Sequence, residues 1–444
     1  MSDELLSLGE FISSVDFATS SAATRQTIDE AARSSLLCAL VGIEQEQWIW
    51  NFPILFARGG SKATGAVKLL AGLFDVFEGV GHLGTAAGAA DFDPMDPGPS
   101  HSALPATLAS CVICAQGQVP QSRHATDVEV GSAVLAGIEA AMRVRRAISG
   151  TRPGVGYHSP GVYGAIAAAA SAARTLRLSA AECANAIAIA IDRFSGLGIN
   201  SAATLVGVTH FGWGTIHGLE AALLASQGWS ASHDVGRAFA TQFAASQIDL
   251  SVLAKPDPVS VTDALVFKWY PCNIYTNLVV LTLERVNREP IDRIEIRMPW
   301  IPHLDCPQPD GVRQARNSAQ AVAAVAGAGD TSYAAFSGEA GIWKPSADVQ
   351  RLIRHVDVVM DRSAPTDLQQ ASVAVRVWRG SAMVHEASRS MKDLRGWGRD
   401  HAAKLVGNKN KGGVEAIYDH SIVHGFQYVQ GRRRSITAGK EPSF

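Results

Sequence analysis

A chain of 444 residues, 47% hydrophobic and only 18% charged, is long enough for two packed domains and too apolar for disorder. Its formal charge of -2 offers no general attraction to nucleic acid or to an anionic membrane, so the expected partner is a small molecule. The acidic start Met-Ser-Asp-Glu carries no secretory signature and reads as cytoplasmic, and the uncharged stretches 97–122 and 194–219 are too broken by Gly, Ser, Thr, Pro and His to span a bilayer.

Up to about residue 250 the chain is Ala-rich with helical spacing, which predicts closely packed helices over Ile28–Leu40, Gly161–Leu176 and Ser179–Arg193. Ser179 followed by Glu182 is a capping box, so the last two of these form a helical hairpin. Pro256, Asp257 and Pro258 then make a break. Beyond Lys268 strand-like alternation begins at Ile291–Met298, and Ser372–Trp378 and Ala382–Ala387 form a hairpin turning at Arg379–Gly380. Gln314–Val325 and Ala347–Val356 read as helices between them. From Asp400 the chain is helical again, and the basic run Arg432–Arg434 reads as a solvated tail. Six cysteines at irregular positions read as reduced thiols, and Cys111 with Cys114 lacks the second ligand pair that structural zinc requires.

There is no Walker A sequence, no GxGxxG between strand and helix, no HExxH and no serine elbow, so any chemistry rests on scattered polar residues. His101 follows Asp91, Asp93 and Asp96 in a Pro/Gly-rich loop entering a helix. That is either an anion site or a plain connection capped by Asp96 or Ser100. His158 again precedes a helix, where the positive end of the peptide dipoles disfavours an imidazolium; it is either a neutral base or a cap. His210 and His217 share one helical face but lie about 10.5 Å apart along the axis, too far for one metal. One of them lines a cleft, or both pack with Trp213. Lys268 lies among Phe267, Trp269 and Tyr270 at the change of texture, as a snorkelling surface residue or a functional cation.

The strings ADFDPMDPGPSHSALPATLA, GYHSPGVYGAIAAAASAARTLRLSAAECANAIAIA, THFGWGTIHGLEAALLASQGW and FKWYPC stand in the order and spacing of the MmgE/PrpD family, and the resemblance runs from about residue 30 to residue 330. That family includes 2-methylcitrate dehydratase, cis-aconitate decarboxylase and iminodisuccinate epimerase. The resemblance implies a mainly α protein: a large all-helical domain formed by both chain ends (1–266 and 400–444) and a smaller inserted α+β domain (267–399), with a cleft between them. It also implies a homodimer and no metal or organic cofactor. Carried over by position, the family's active-site residues fall on Asp91, His101, His158 and Lys268, with His210, Tyr157, Tyr270 and Asn277 as expected substrate contacts. Met95, Gly207, Asn277 and Ala321 replace a threonine, a lysine, a histidine and a tyrosine of the family pattern, and in these departures the chain resembles the epimerase most.

Those losses remove groups that would bind a tricarboxylate and protonate a leaving group. Epimerisation needs only a base, an opposed acid and a cation beside the developing charge. The expectation is an epimerase of an iminodisuccinate-type polycarboxylate, with Lys268 and a histidine on opposite faces and Asp91 orienting an imidazole. The alternatives are a dehydratase or decarboxylase, with Tyr270, Tyr275 or Tyr163 as the replacement acid, and a ligand-binding protein without activity.

Overall fold

The computed structural model describes residues 3–46, 66–96, 100–116, 123–148, 156–201, 204–243, 248–256, 260–286, 289–407 and 410–438. Asp257 and Pro258 of the expected break, and Gly154 and Val155 before His158, lie outside them.

Small side chains let helices approach closely, and the first part of the chain is built that way. Its helices are α1 (Asp3–Ser14), α2 (Ala22–Gln45), α3 (Ala66–Ala90), α4 (Ala103–Ala115), α5 (Arg123–Ala147), α6 (Ser159–Thr175), α7 (Ala180–Asp192), α8 (Val206–Ser226), α9 (Val235–Phe243) and the single turn α10 (Val261–Ala264). The Ser179–Glu182 capping box starts α7. α6 is enclosed by α4, α5 and α8, while α3 lies between α2 and α8. A Cβ on Gly42 would come 2.0 Å from the Ala86 carbonyl oxygen, and one on Gly218 would come 2.3 Å from that of Ala165. The α2/α3 and α6/α8 contacts are therefore backbone-close and exclude any larger side chain.

The chain continues through α11 (Ile274–Leu283), β1 (Arg293–Pro299), α12 (Val312–Arg316), α13 (Ala319–Gly327), α14 (Ala347–Ile353), β2 (Val356–Asp361), β3 (Ser372–Arg379) and β4 (Ala382–Ser390). The sheet order is β2-β1-β3-β4, with β1 parallel to β2 and antiparallel to β3, and β3 and β4 form the expected hairpin. α11 and α13 pack on the sheet and α14 on α13, and this second apolar cluster runs from Val266 to Leu394 with Met95 added.

The chain then returns through α15 (Arg399–Val406), α16 (Lys411–Tyr418) and α17 (Ile422–Ala438), which pack on α2, with α17 also against α4 and α5. The molecule is thus mainly α, a helical part closed by both ends of the chain with a small α+β part between. Among the described residues no helix is long and apolar enough to cross a membrane.

Three local expectations are corrected. The helix read over Gln314–Val325 is interrupted at Asn317–Ser318, because the Ser318 hydroxyl accepts from the Ala321 N–H and so starts α13 afresh. The helix read to Val356 stops at Ile353, and Val356 opens β2 beside β1. Arg432–Arg434 lies in α17, where Arg432 and Arg434 are exposed as expected but Arg433 is buried, donating to His82 of α3 and 3.6 Å from Glu78.

Candidate active site

The centre of the molecule gathers charge where α3 ends. Asp91 follows the last residue of α3 with φ 61, a left-handed conformation that aspartate tolerates better than most residues, and its N–H still bonds the Ala87 carbonyl. Beyond it Met95 forms an antiparallel bridge with Val266, each N–H donating to the other's carbonyl. That bridge sets Lys268 beside the Asp91-Phe92-Asp93 segment. Lys268 Nζ donates to Asp91 Oδ1 at 2.6 Å and lies 3.5 Å from Asp93 Oδ1.

All three groups are buried. Burial pushes the Asp91 carboxyl up, but the charges of Lys268 and Arg313 outweigh it and hold it below the ordinary carboxylate value. Burial opposes the Lys268 ammonium in the same way, and Asp91 and Asp93 overcome it, so its pKa is raised. The raised pKa favours Lys268 as the functional cation of the two readings offered by the sequence, and its burial is at odds with a snorkelling surface residue.

His101 precedes α4 by two residues, and its Nδ1 lies 2.6 Å from Asp93 Oδ2. The residue orienting this imidazole is therefore Asp93 and not Asp91, which is engaged by Lys268. Burial raises the Asp93 carboxyl, and the charges of His101 and Lys268 with the His101 hydrogen bond bring it below its ordinary value. The capping reading also holds in part: Asp96 Oδ1 accepts from the Ser102 N–H at 3.2 Å and its hydroxyl at 2.8 Å.

The second imidazole unit comes from the α6/α8 contact. His158 is the N-cap residue of α6, makes no side-chain capping bond, and its N–H donates to the Gly196 carbonyl at 2.7 Å. Its Nδ1 lies 2.9 Å from His210 Nδ1 on α8, so one ring donates to the other. Gly196 sits at φ 85, and a Cβ there would lie 2.7 Å from the His210 ring, which leaves glycine as the residue that fits. Burial first, then the charges of His101, His210, Arg313 and Lys268, push the His158 pKa well below that of free imidazole. Burial and Arg313 lower His210 as well. The His101 and His158 rings stand 6.3 Å apart between centroids, edge to face, with Phe211 packed against both.

The other expected contacts fall elsewhere. Asn277 is fully buried and its amide is spent on the segment after Lys268: Oδ1 accepts from the Tyr270 N–H while Nδ2 donates to the carbonyls of Tyr270 and Cys272. It shapes the loop and offers no polar atom to a substrate. Tyr270 donates its hydroxyl to Glu284 at 2.6 Å and Tyr275 donates to the Thr366 carbonyl, so neither phenol is aimed at the imidazoles. Tyr157 pairs its backbone with Leu197 and packs part-buried against the helical core. His217 lies 3.4 Å from the Ser195 hydroxyl and beside Trp213, away from the pair. Gly207 has no room for a side chain, since its Cβ would come 2.2 Å from the Asn200 carbonyl oxygen.

Two arginines of α12 enter where the sequence singled out neither. Arg316 is buried and fully bonded: Nε to the Phe336 carbonyl, Nη1 to the Ala89 carbonyl, and Nη2 to Glu46 at 2.6 Å and to Tyr333. Arg313 donates to the carbonyls of Gly88 and Ser201 and lies 3.5 Å from Asp91 Oδ2. Asp93 was within reach of sequence reasoning, since an extended segment puts residues 91 and 93 on one side. Arg313 was not, because only the packing of α12 on the end of α3 brings it in.

Two hollows, of about 400 Å³ beside Pro307, Val349 and Arg354 and of about 210 Å³ beside Trp269, Tyr270, His401 and Lys404, share no residue with the imidazole cluster. No group of three or more metal-ligating side chains is placed together among the described residues.

A model of the MmgE/PrpD N-terminal domain matches residues 6–244. Cis-aconitate decarboxylase of Mus musculus is 32% identical over 183 residues, 38% of this chain and 37% of that protein. The Homo sapiens cis-aconitate decarboxylase is 31% identical over 183 residues, 38% of each chain. The chain thus spans 37% and 38% of the length of these relatives.

Proposed function

Since the chain belongs to the MmgE/PrpD family, we propose that it is an enzyme that removes and returns a proton at a carbon next to a carboxylate of a small polycarboxylate, as an epimerase of an iminodisuccinate-type substrate. The observation that carries this reading is the pair of neighbouring imidazole units, His101–Asp93 and His158–His210, with the His101 and His158 centroids 6.3 Å apart near the buried Lys268 cation.

A reacting carbon needs about 3–3.5 Å to each proton-transfer nitrogen, so the two rings, edge to face with centroids 6.3 Å apart, have to part to admit it between them. His158, neutral at neutral pH, takes the α-proton. The electron pair of the broken C–H bond moves into the adjoining carboxylate, where the charge on Lys268 steadies it. His101, held through Nδ1 by Asp93 at 2.6 Å, delivers the second proton to the opposite face. The new C–H bond inverts the centre, and exchange with solvent returns both imidazoles to their starting states. No leaving group has to be protonated, which suits a site whose nearby Tyr270 and Tyr275 hydroxyls are bound elsewhere.

A second reading, decarboxylation, is favoured by the names of the relatives. There His101 would protonate the carbanion left by loss of carbon dioxide. Proton NMR in deuterated water, with a chelator present, separates the two. Single stereoisomers of iminodisuccinate should take up deuterium at the α-carbon and interconvert. Carbon dioxide release from cis-aconitate without such exchange would move the assignment to a decarboxylase, loss of water from 2-methylcitrate to a dehydratase, and silence with all three substrates would overturn the catalytic reading.

A further inference from the structure

α12 carries two arginines three residues apart, and the structure treats them differently. Arg316 is saturated: each nitrogen of its guanidinium has an acceptor, and its charge is met by Glu46 at 2.6 Å. Arg313 is not. Nη1 donates to the Gly88 carbonyl and, at 3.5 Å, to Asp91 Oδ2, while Lys268 holds Asp91 Oδ1 at 2.6 Å. Nη2 donates one hydrogen bond, to the Ser201 carbonyl at 2.6 Å. Nε is buried and has no hydrogen-bond partner. A buried donor without an acceptor is costly and rare in native proteins, and calls for one that arrives with a ligand.

The position of this cation is equally pointed. Its charge lowers the pKa of Asp91, His158 and His210 and acts on Lys268, so the guanidinium sits within electrostatic reach of the cluster's charged and imidazole groups. The carbonyls of Gly88 and Ser201 hold it by two different elements of the helical part, the end of α3 and the turn before α8. Nε–H has no acceptor and Nη2 spends one of its two hydrogens on Ser201; Nε with Nη2 is the side of a guanidinium that can take the two oxygens of a carboxylate.

We infer that Arg313 binds the carboxylate of the substrate that is remote from the reacting carbon, and so selects dicarboxylates over monocarboxylates. The inference rests on the proposed acid/base reading of the site for the word substrate, but its test does not require turnover.

Calorimetric titration of the full chain with succinate, tricarballylate and butyrate measures the selection directly. The wild type should bind succinate or tricarballylate at least tenfold more tightly than butyrate. Arg313→Gln should abolish that preference, and Arg313→Lys, which keeps the charge and loses the fork, should recover only part of it. In any turnover assay Arg313→Gln should raise KM more than it lowers kcat. A wild type without the preference, or a folded Arg313→Gln that retains it, overturns the inference. If Arg313→Gln does not fold by circular dichroism, Arg313→Lys decides: undiminished dicarboxylate affinity overturns it. Carboxylate binding that depends on Arg313 in a protein silent toward iminodisuccinate, cis-aconitate and 2-methylcitrate would leave this inference standing while the catalytic reading fails.

Discussion

Removing the ammonium of Lys268 would take from the buried Asp91 its nearest cation, 2.6 Å away, and from the buried Asp93 a charge at 3.5 Å. Breaking such a pair costs about 3–5 kcal/mol. Lys268→Met is therefore expected to lower the urea midpoint sharply as well as to stop α-proton exchange. The double variant Lys268→Met/Asp91→Asn should regain about half of the lost stability and none of the exchange, and full loss of stability in both would mean that the pair is not what holds this site together. His82 gives a residue-scale test of pH dependence. Burial first, and the Arg433 charge second, lower its pKa to about 3. Between that value and about 6.5 the unfolded chain binds the proton more readily, so this stability is present above pH 6.5 and is lost on acidification. Wild-type stability should fall by about 2 kcal/mol more than that of His82→Gln between pH 6.5 and pH 5; equal slopes in urea titrations would refute it. At this scale the sequence marked His101, His158, Asp91 and Lys268, since each stands in a distinctive string. It could not assign partners. Which carboxylate orients His101 is decided by the left-handed turn at Asp91 and the Met95–Val266 bridge, both products of tertiary packing.

The distance between His158 and His210 is a property of two helices. Gly218 lets α8 lie against α6, and a Val there would place its Cβ 2.3 Å from the Ala165 carbonyl oxygen and 2.5 Å from the Ala168 Cβ. Overpacking of that kind costs about 1–3 kcal/mol. Gly218→Val should lower the thermal midpoint and slow exchange by spreading the imidazole pair, although residue 218 touches neither ring; an unchanged exchange rate would separate the helix contact from the site. The helices themselves were readable because small-residue periodicity and the Ser179 capping box are local signals. β2 was not. Val356–Asp361 is a short edge strand following a helical run, and a pattern of six residues cannot be told from one more turn of helix until β1 is beside it. The break between α12 and α13 was missed for a related reason: Asn317 and Ser318 are tolerated inside a helix, and only the capping geometry shows that they divide two.

Closure of the helical part depends on its last element. Ile422, Val423, Phe426 and Val429 of α17 are buried in the same cluster as α2 and α4, and Arg433 reaches His82 of α3. Burial of four such apolar side chains is worth about 6–12 kcal/mol, comparable with the whole stability of a typical domain. A chain ended after Ser421 should therefore lose cooperative thermal unfolding, and a sharp transition in the truncated protein would show that α17 only decorates the core. The division into a mainly helical protein with an inserted α+β part was legible in the change of texture after Lys268, whereas the burial of Arg433 was concealed by its charge and its exposed arginine neighbours. The return of the chain also sets a clock. During synthesis at about 5–20 residues per second, the roughly 200 residues between the end of α8 and the start of α17 take about 10–40 s to emerge. For that interval the nascent helices present the apolar groove that α17 will later fill, and a ribosome-bound intermediate of this length is the species on which a chaperone would act.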